Sequence, residues 1–389
     1  MTFDIDRARR ETPGAAHVAH FNNAGSALPP EIVLRTQVEH LELEARIGGY
    51  EAADTARPRI EAVYDSVARL IGAGRDEIAI VENATVGWDM GFYAIPFQPG
   101  DRILTAEAEY AANFVAFLQM RKRRGVEIEV IPSRPTGETS PEALAEMMDE
   151  RVKLVAISHV PTNGGLVNPA AEIGRIAKAH GALYLLDACQ SVGQMPIDVG
   201  EIGCDMLSAT GRKYLRGPRG VGFLYVRQGL IANLEPPIID HSAAAWTAPD
   251  AYTLRPDARR FENWENNYAA KLGLGAAVDY ALDWGLEAIH ARVTTLADDL
   301  RRRLAALPGV ELRDIGQEKC GIVTFTQAGP DPFETKARLR DAHINLSVSS
   351  PSSTLLDANR RNLPPVIRAS VHYYNSEDEI ERLIGALGA

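Results

Sequence analysis

The chain has 389 residues, 46% of them hydrophobic, with 41 basic against 52 acidic side chains for a net charge of −11. That length is enough for a large core and two domains, and the acidic balance argues against nucleic acid or an anionic membrane as partner. The three cysteines, Cys189, Cys204 and Cys320, show no metal-ligand spacing and are too few for a disulfide scaffold, so no metal is expected. Acids come early (Asp4, Asp6) and no apolar run is long enough to span a bilayer, so a cytoplasmic protein is expected.

Strand-like and helix-like segments alternate along most of the chain. Arg57 to Leu70 reads as a helix ended by Gly72 and Gly74. Glu77 to Val81 is a predicted strand, Thr85 to Ala94 a helix, Arg102 to Thr105 a strand and Ala111 to Arg123 a helix. Val126 to Ile131, Lys153 to Ser158 and Leu183 to Leu186 are further strands, separated by helices at Pro141 to Asp149 and Ala170 to His180. Short apolar runs bounded by turn residues and joined by helices predict a parallel sheet with helices on both faces. In such a sheet, ligands bind beyond the carboxyl ends of the strands.

The texture changes after Gly275. A long helix (Ile289 to Ala306) precedes strands at Val310 to Leu312, Gly321 to Phe325, Ile344 to Val348 and Val366 to Val371. Helices are predicted near Phe333 to Ala342 and from Glu377, and the Ser-rich stretch Ser347 to Ser353 reads as a loop. These elements suit a smaller α/β layer.

The chemistry concentrates between Leu183 and Val226. Asp187 ends an apolar run, and Lys213 follows in the Gly-containing loop Thr210-Gly211-Arg212-Lys213. This pairing suits pyridoxal phosphate (PLP). A carboxylate keeps the pyridine nitrogen protonated, and a lysine forms the Schiff base that a substrate amine displaces. Nearby cations (Arg212, Arg216, Arg219) favour a neutral amine. Gln190 can donate to the ring's phenolic oxygen. Glu82 to Gly87 joins a strand to a helix, so Ala84 and Thr85 are candidate phosphate ligands through free N–H groups and a hydroxyl. Thr210 and Arg212 are candidates to complete that phosphate cup. Tyr110, between strand and helix, can stack on the ring. His159 also ends a strand, where a lone histidine is more often structural. Arg368 is a charge inside the strand-like run Val366 to Ser370 and needs a partner, either a substrate carboxylate or an internal acid.

At these residues the chain resembles the class V aminotransferase family of fold-type I PLP enzymes, which includes cysteine desulfurases, selenocysteine lyases and isopenicillin-N-epimerase-like proteins. Phe21 to Ser26 is similar to the family's N-terminal segment. Glu109-Tyr110-Ala111-Ala112-Asn113 is similar to its "EHHAN" segment, with Tyr110 at the ring-stacking position. His159 to Pro169 resembles its "HVSNxxGxxxP" loop, with Thr162 where asparagine is frequent. Asp187 to Gln190, Thr210 to Lys213 and Arg368 to Ser370 resemble its "DxxQ", "SGHK" and carboxylate-binding segments.

The resemblance implies a large PLP-binding domain over residues 22–270, with a mainly parallel sheet flanked by helices. A small α/β domain is implied for residues 1–21 and 271–389. It adds Thr162 to the cofactor ligands, assigns Arg368 and Asn23 to the substrate, and implies a homodimer with sites at the interface. Departures narrow the chemistry. The persulfide cysteine of desulfurases falls near Ser347 to Ser353, which has none, so a C–S or β-elimination lyase without a sulfur relay is expected. The threonine that reaches the partner's phosphate falls near Trp264 to Asn266, where none occurs; this leaves the contact from the partner open, with Asn266 a candidate substitute. A transaminase or an amino-acid epimerase uses the same lysine and stays open. A non-catalytic PLP-binding regulator needs a DNA-binding domain, for which residues 1–30 are too short.

Overall fold

A computed structural model describes residues 3–388. Its centre is a seven-stranded sheet. In chain order the strands are β1 (Ile78–Val81), β2 (Arg102–Ala106), β3 (Glu127–Ile131), β4 (Val152–Ser158), β5 (Leu183–Asp187), β6 (Met206–Thr210) and β7 (Gly222–Val226). They lie in the order β1-β7-β6-β5-β4-β2-β3, and only β7 runs antiparallel to its neighbours. The central strands read as continuous apolar runs because helices cover both faces, and every residue of β6 and β7 is buried. The expected mainly parallel sheet is thus present.

Register sets up the site. Ser158 of β4 pairs with Asp187 of β5, and Asp187 with Ser208 of β6. Three adjacent strands therefore reach the same edge together.

Seven of the helices are, in chain order, α1 (Glu31–Ile47), α2 (Gly49–Ile71), α3 (Ala84–Tyr93), α4 (Ala111–Arg124), α5 (Ala170–Ala179), α6 (Tyr268–Trp284) and α7 (Leu286–Ala305). Sequence reasoning missed α1, and it started α2 at Arg57, just before Pro58. The helix instead runs through Pro58 from Gly49. Its buried face, which includes Ala52, Ala56, Ile60 and Val63, outweighs the hydrogen bond the proline removes. Helix α6 packs on α1 and α2. We therefore propose that the large unit continues to Trp284 rather than ending at residue 270.

The C-terminal layer is an antiparallel four-stranded sheet: β8 (Val310–Leu312), β9 (Ile322–Gln327), β10 (Ser347–Ser349) and β11 (Val366–Ser370), in the order β8-β9-β11-β10. Ile344 to Val348, expected as one strand, is split. Ile344–Asn345 pairs in parallel with Ala19–His20, whereas β10 pairs with β11. The expected Ser347 to Ser353 loop is likewise part strand and part 3-10 helix (Pro351–Thr354). A hairpin, Ala244–Ala248 with Ala251–Leu254, was also not foreseen. Its outward residues give no apolar alternation to detect, and Trp246 on it is 80% exposed.

Candidate active site

A cavity opens at the carboxyl edge of the large sheet. Its wall includes Ala84, Thr85, Tyr110, Asn113, Ser158, Thr162, Asp187, Cys189, Gln190 and Lys213. Seven of the expected site residues meet here: Ala84, Thr85, Tyr110, Thr162, Asp187, Gln190 and Lys213.

Asp187 is the last residue of β5 and is buried. One carboxylate oxygen, Oδ1, accepts from the Cys189 backbone N–H at 2.9 Å, and Oδ2 accepts from Asn113 Nδ2 at 2.9 Å. Each oxygen keeps further acceptor capacity toward the cavity. Lys213 lies in the turn after β6. That turn is closed by the Gly217 N–H on the Gly211 carbonyl (2.8 Å) and by the Arg216 N–H on the Lys213 carbonyl (2.9 Å). Arg216 adopts a left-handed backbone (φ 61°), and its buried guanidinium donates to the Leu28 carbonyl and the Tyr373 hydroxyl. The lysine loop is thereby fastened to both ends of the chain. Among the described residues nothing pairs with the Lys213 amine. Burial lowers its pKa, and the nearby Arg212 and Arg368 push the same way. Cys189 and Asp187 oppose them, and of the three cations named from sequence only Arg212 contributes, so burial is the main cause.

At the start of α3, Asn83 Oδ1 accepts from the Val86 N–H at 3.0 Å. Among the described residues the Ala84 and Thr85 N–H groups have no acceptor, and both residues line the cavity at a helix N-terminus. Ser208 Oγ donates to the Ala84 carbonyl at 2.8 Å, which fixes this turn on β6. Tyr110, 40% exposed, caps the opposite side at the start of α4. Gln190 Nε2 donates to the Ala24 carbonyl (3.1 Å) and to Thr162 Oγ1 (3.4 Å), while its buried Oε1 has no partner.

Arg368, buried on β11, donates from Nη1 to Thr162 Oγ1 at 2.6 Å and from Nε to Ser347 Oγ at 3.1 Å. No carboxylate among the described residues pairs with it, so the internal ion pair is not formed. Asn23 requires a correction. It is fully buried away from the cavity, with Nδ2 donating to the Ser370 carbonyl (2.7 Å) and Oδ1 accepting from the Tyr374 hydroxyl. Its amide joins the chain's two ends and is not free for a substrate. Thr210 and Arg212 are also not on the cavity wall. Thr210 is buried at the end of β6, and Arg212 donates from Nη1 to the Gly25 carbonyl. His159 is buried and faces no acid. Burial alone takes its pKa down to about 4, so it is neutral near pH 7.

Two polar residues were not assigned from sequence. Asn113, on the cavity wall, donates from Nδ2 to Asp187 and also to Glu109 Oε1 at 2.8 Å. Glu109, buried behind it, also accepts from the Ser158 N–H (2.9 Å), Ser158 Oγ (2.7 Å) and the Tyr110 N–H (2.9 Å). Burial and the Asp187 charge raise its pKa to about 7. The signal available was the spacing of the pair, four residues apart, with Glu109 just before α4 and Asn113 in its first turn.

These features fit PLP: a strand-end acid, an unpaired buried amine, free helix-start N–H groups and an unpartnered amide oxygen. Fold and cavity together are those of a PLP-dependent enzyme. A family model for aminotransferase class-V matches residues 18–383. A cysteine desulfurase of Serratia proteamaculans is 32% identical and aligns over 100% of this chain and 98% of its own. A probable cysteine desulfurase of Methanothermobacter thermautotrophicus is 30% identical, over 96% and 95%. Among solved structures, the apo cysteine desulfurase of Thermococcus onnurineus NA1 superposes with a TM-score of 0.93 at 27% identity, covering 100% of this chain and 98% of that one. The cystine C–S lyase C-DES, solved with its product cysteine persulfide, has a TM-score of 0.88 at 25% identity, over 97% and 99%. The chain belongs to the class V aminotransferase family.

Proposed function

We propose that the protein is a PLP-dependent lyase that cleaves a C–S bond in a cysteine-type α-amino acid by β-elimination, without passing sulfur through a thiol of its own. The observation that carries this reading is the placement of the thiols against the cavity. Cys320 is buried, and burial holds its pKa at about 11. Cys204 is buried as well. Cys189 is on the cavity wall, but burial and Asp187 raise its pKa, which keeps it a thiol rather than a nucleophilic thiolate. Ser347 to Ser353 contains no cysteine. The cystine C–S lyase and desulfurase relatives support sulfur amino-acid chemistry.

Bound PLP supplies an electron sink conjugated to the substrate's Cα. The chain's residues supply the rest. Ala84 and Thr85 would hold the phosphate through N–H groups and a hydroxyl. Tyr110 would pack on the ring, and Gln190 and Thr162 would supply polar partners to it. Asp187 would hold the ring-nitrogen proton. Lys213, as a neutral amine, would take the substrate's Cα proton. Arg368 grips the substrate carboxylate in place of the acid it lacks. No described helix is long and apolar enough to cross a membrane. We further propose a cytoplasmic homodimer. Its support is the apolar surface left open on α1, including Ile32, Leu34 and Leu41.

The test is product analysis of the purified holoenzyme with L-cysteine and L-cystine. A lyase turns L-cysteine and water into pyruvate, ammonia and hydrogen sulfide. Alanine that forms only when an acceptor thiol is present indicates sulfur transfer instead and overturns the reading. Stoichiometric accumulation of the pyridoxamine form of the cofactor makes the enzyme a transaminase.

A further inference from the structure

The hydrogen bonds around Asp187 single out one residue that the proposed chemistry does not use. Asn113 sits on the cavity wall, 4% exposed, in the first turn of α4. Its amide nitrogen donates to Glu109 Oε1 at 2.8 Å and to Asp187 Oδ2 at 2.9 Å. Both neighbours are carboxylates, so the amide can face them only with its NH2 group. One donor group therefore separates two buried acids that would otherwise repel.

The two acids differ in how they are held. Glu109 accepts from five donors, Thr105 Oγ1 among them at 3.4 Å, and does not reach the cavity. It is a fixed anchor. Among the described residues Asp187 accepts from the Cys189 N–H on Oδ1 and from Asn113 on Oδ2, and its other neighbour, the Cys189 thiol, belongs to its own turn. Rotation of the Asp187 carboxylate about its Cβ–Cγ bond is thus limited from outside its own turn by Asn113. The ring nitrogen must be met along a lone-pair direction, so that rotation decides whether the contact forms.

We propose that Asn113, anchored by Glu109, is a positioning residue that orients Asp187 toward the ring nitrogen of the cofactor. This rests on the reading of Asp187 as the ring-nitrogen partner. Asn113 touches neither substrate nor the reacting atoms in this role. Its effect is confined to the one contact that Asp187 makes.

The experiment compares two ligands on the same full-length protein stripped of cofactor. One is PLP. The other is its deaza analogue, in which a C–H replaces the ring nitrogen. Phosphate, ring and aldehyde contacts are common to both, so the ratio of their dissociation constants isolates the Asp187 contact. Wild type is expected to prefer PLP by at least about tenfold, or roughly 1.4 kcal/mol. In Asn113→Ala the preference is expected to fall to within about threefold. Asn113→Leu, which keeps the side chain's branched shape, is expected to do the same. A merely structural role lowers both affinities together and leaves the ratio alone. A ratio kept in both variants overturns the inference for Asn113. No preference in wild type overturns the Asp187 reading and the inference with it. Loss of both ligands in variants that remain folded by circular dichroism also overturns it, because phosphate and ring binding do not need an oriented Asp187.

Discussion

Arg368 Nη1 donates to Thr162 Oγ1 across 2.6 Å, and the same hydroxyl lies 3.4 Å from Gln190 Nε2. One threonine thus joins a strand of the small sheet to the rim of the large one. It leaves a buried guanidinium with hydroxyl and carbonyl partners but no acid. Charge-assisted hydrogen bonds contribute roughly 1.5–3 kcal/mol each, and an unpaired buried cation is a standing demand for an anion.

The Arg368→Ala variant is accordingly expected to lower kcat/KM for an α-amino acid by at least about a hundredfold, or some 2.7 kcal/mol. Arg368→Lys should recover little, because an ammonium lacks the planar fork. The measurement pairs L-cysteine with cysteamine, its decarboxylated amine. An equal loss against both removes Arg368 from the carboxylate-binding role.

The lysine assignment has its own test. Lys213→Ala should bind PLP through the phosphate and ring contacts yet give no borohydride-trapped adduct. Peptide mapping of the wild-type adduct should place the cofactor on Lys213, and a label on Lys271, which is buried, would refute the assignment. Lys271 has partners of its own, with Nζ at 3.5 Å from Glu262 Oε2 and 2.5 Å from the Tyr64 hydroxyl, whereas Lys213 has none among the described residues.

Much of this was legible in the sequence for an identifiable reason. The mainly parallel sheet follows from alternating apolar runs and crossovers, and the acid and lysine stand at strand ends where such a sheet exposes them; the strand order, and the strands β6 and β7 within it, were not read from sequence. What failed were contacts set by packing. Asn23 lies in a recognisable segment, yet the Tyr374 hydroxyl and the Ser370 carbonyl claim its amide. Local sequence around Asn23 holds no trace of residues almost a chain-length away. Arg212 was drawn off by the Gly25 carbonyl in the same way. Asn113 and Glu109 escaped assignment because a buried amide between two acids has no signature until strand and helix are docked.

Removing every thiol is the direct check on the relay-free reading. A variant with Cys189, Cys204 and Cys320 all replaced by Ser or Ala should keep its cofactor and most of its β-elimination rate. The measurement is pyruvate release from L-cysteine alongside the cofactor spectrum. Folded, PLP-loaded protein with no turnover would restore a catalytic thiol, with Cys189 the first suspect because it shares the cavity wall with Lys213.

Glu109 carries a prediction about pH and stability. Burial, with Asp187 second, raises its pKa from 4.5 to about 7 in the folded chain. Between those values the folded state binds the proton that the unfolded chain has lost, so stability falls as pH rises through the window. The full contribution is about 3 kcal/mol by linkage. His159 acts in the opposite sense. Its pKa is lowered from 6.5 to about 4 by burial, so stability rises with pH over that interval. Wild type can therefore show a shallow profile from cancelling slopes. Glu109→Gln removes one slope and leaves the other. The variant should gain stability relative to wild type as pH goes from about 5 to 7.5, by an amount on the order of 2 kcal/mol. Part of this is offset by the new amide facing the Ser158 and Tyr110 donors, which sets a pH-independent penalty. Urea unfolding of both proteins across that range separates the two effects, since only the slope reports the titration. Parallel profiles would show that Glu109 does not change charge in this window and is held as an anion by its five donors.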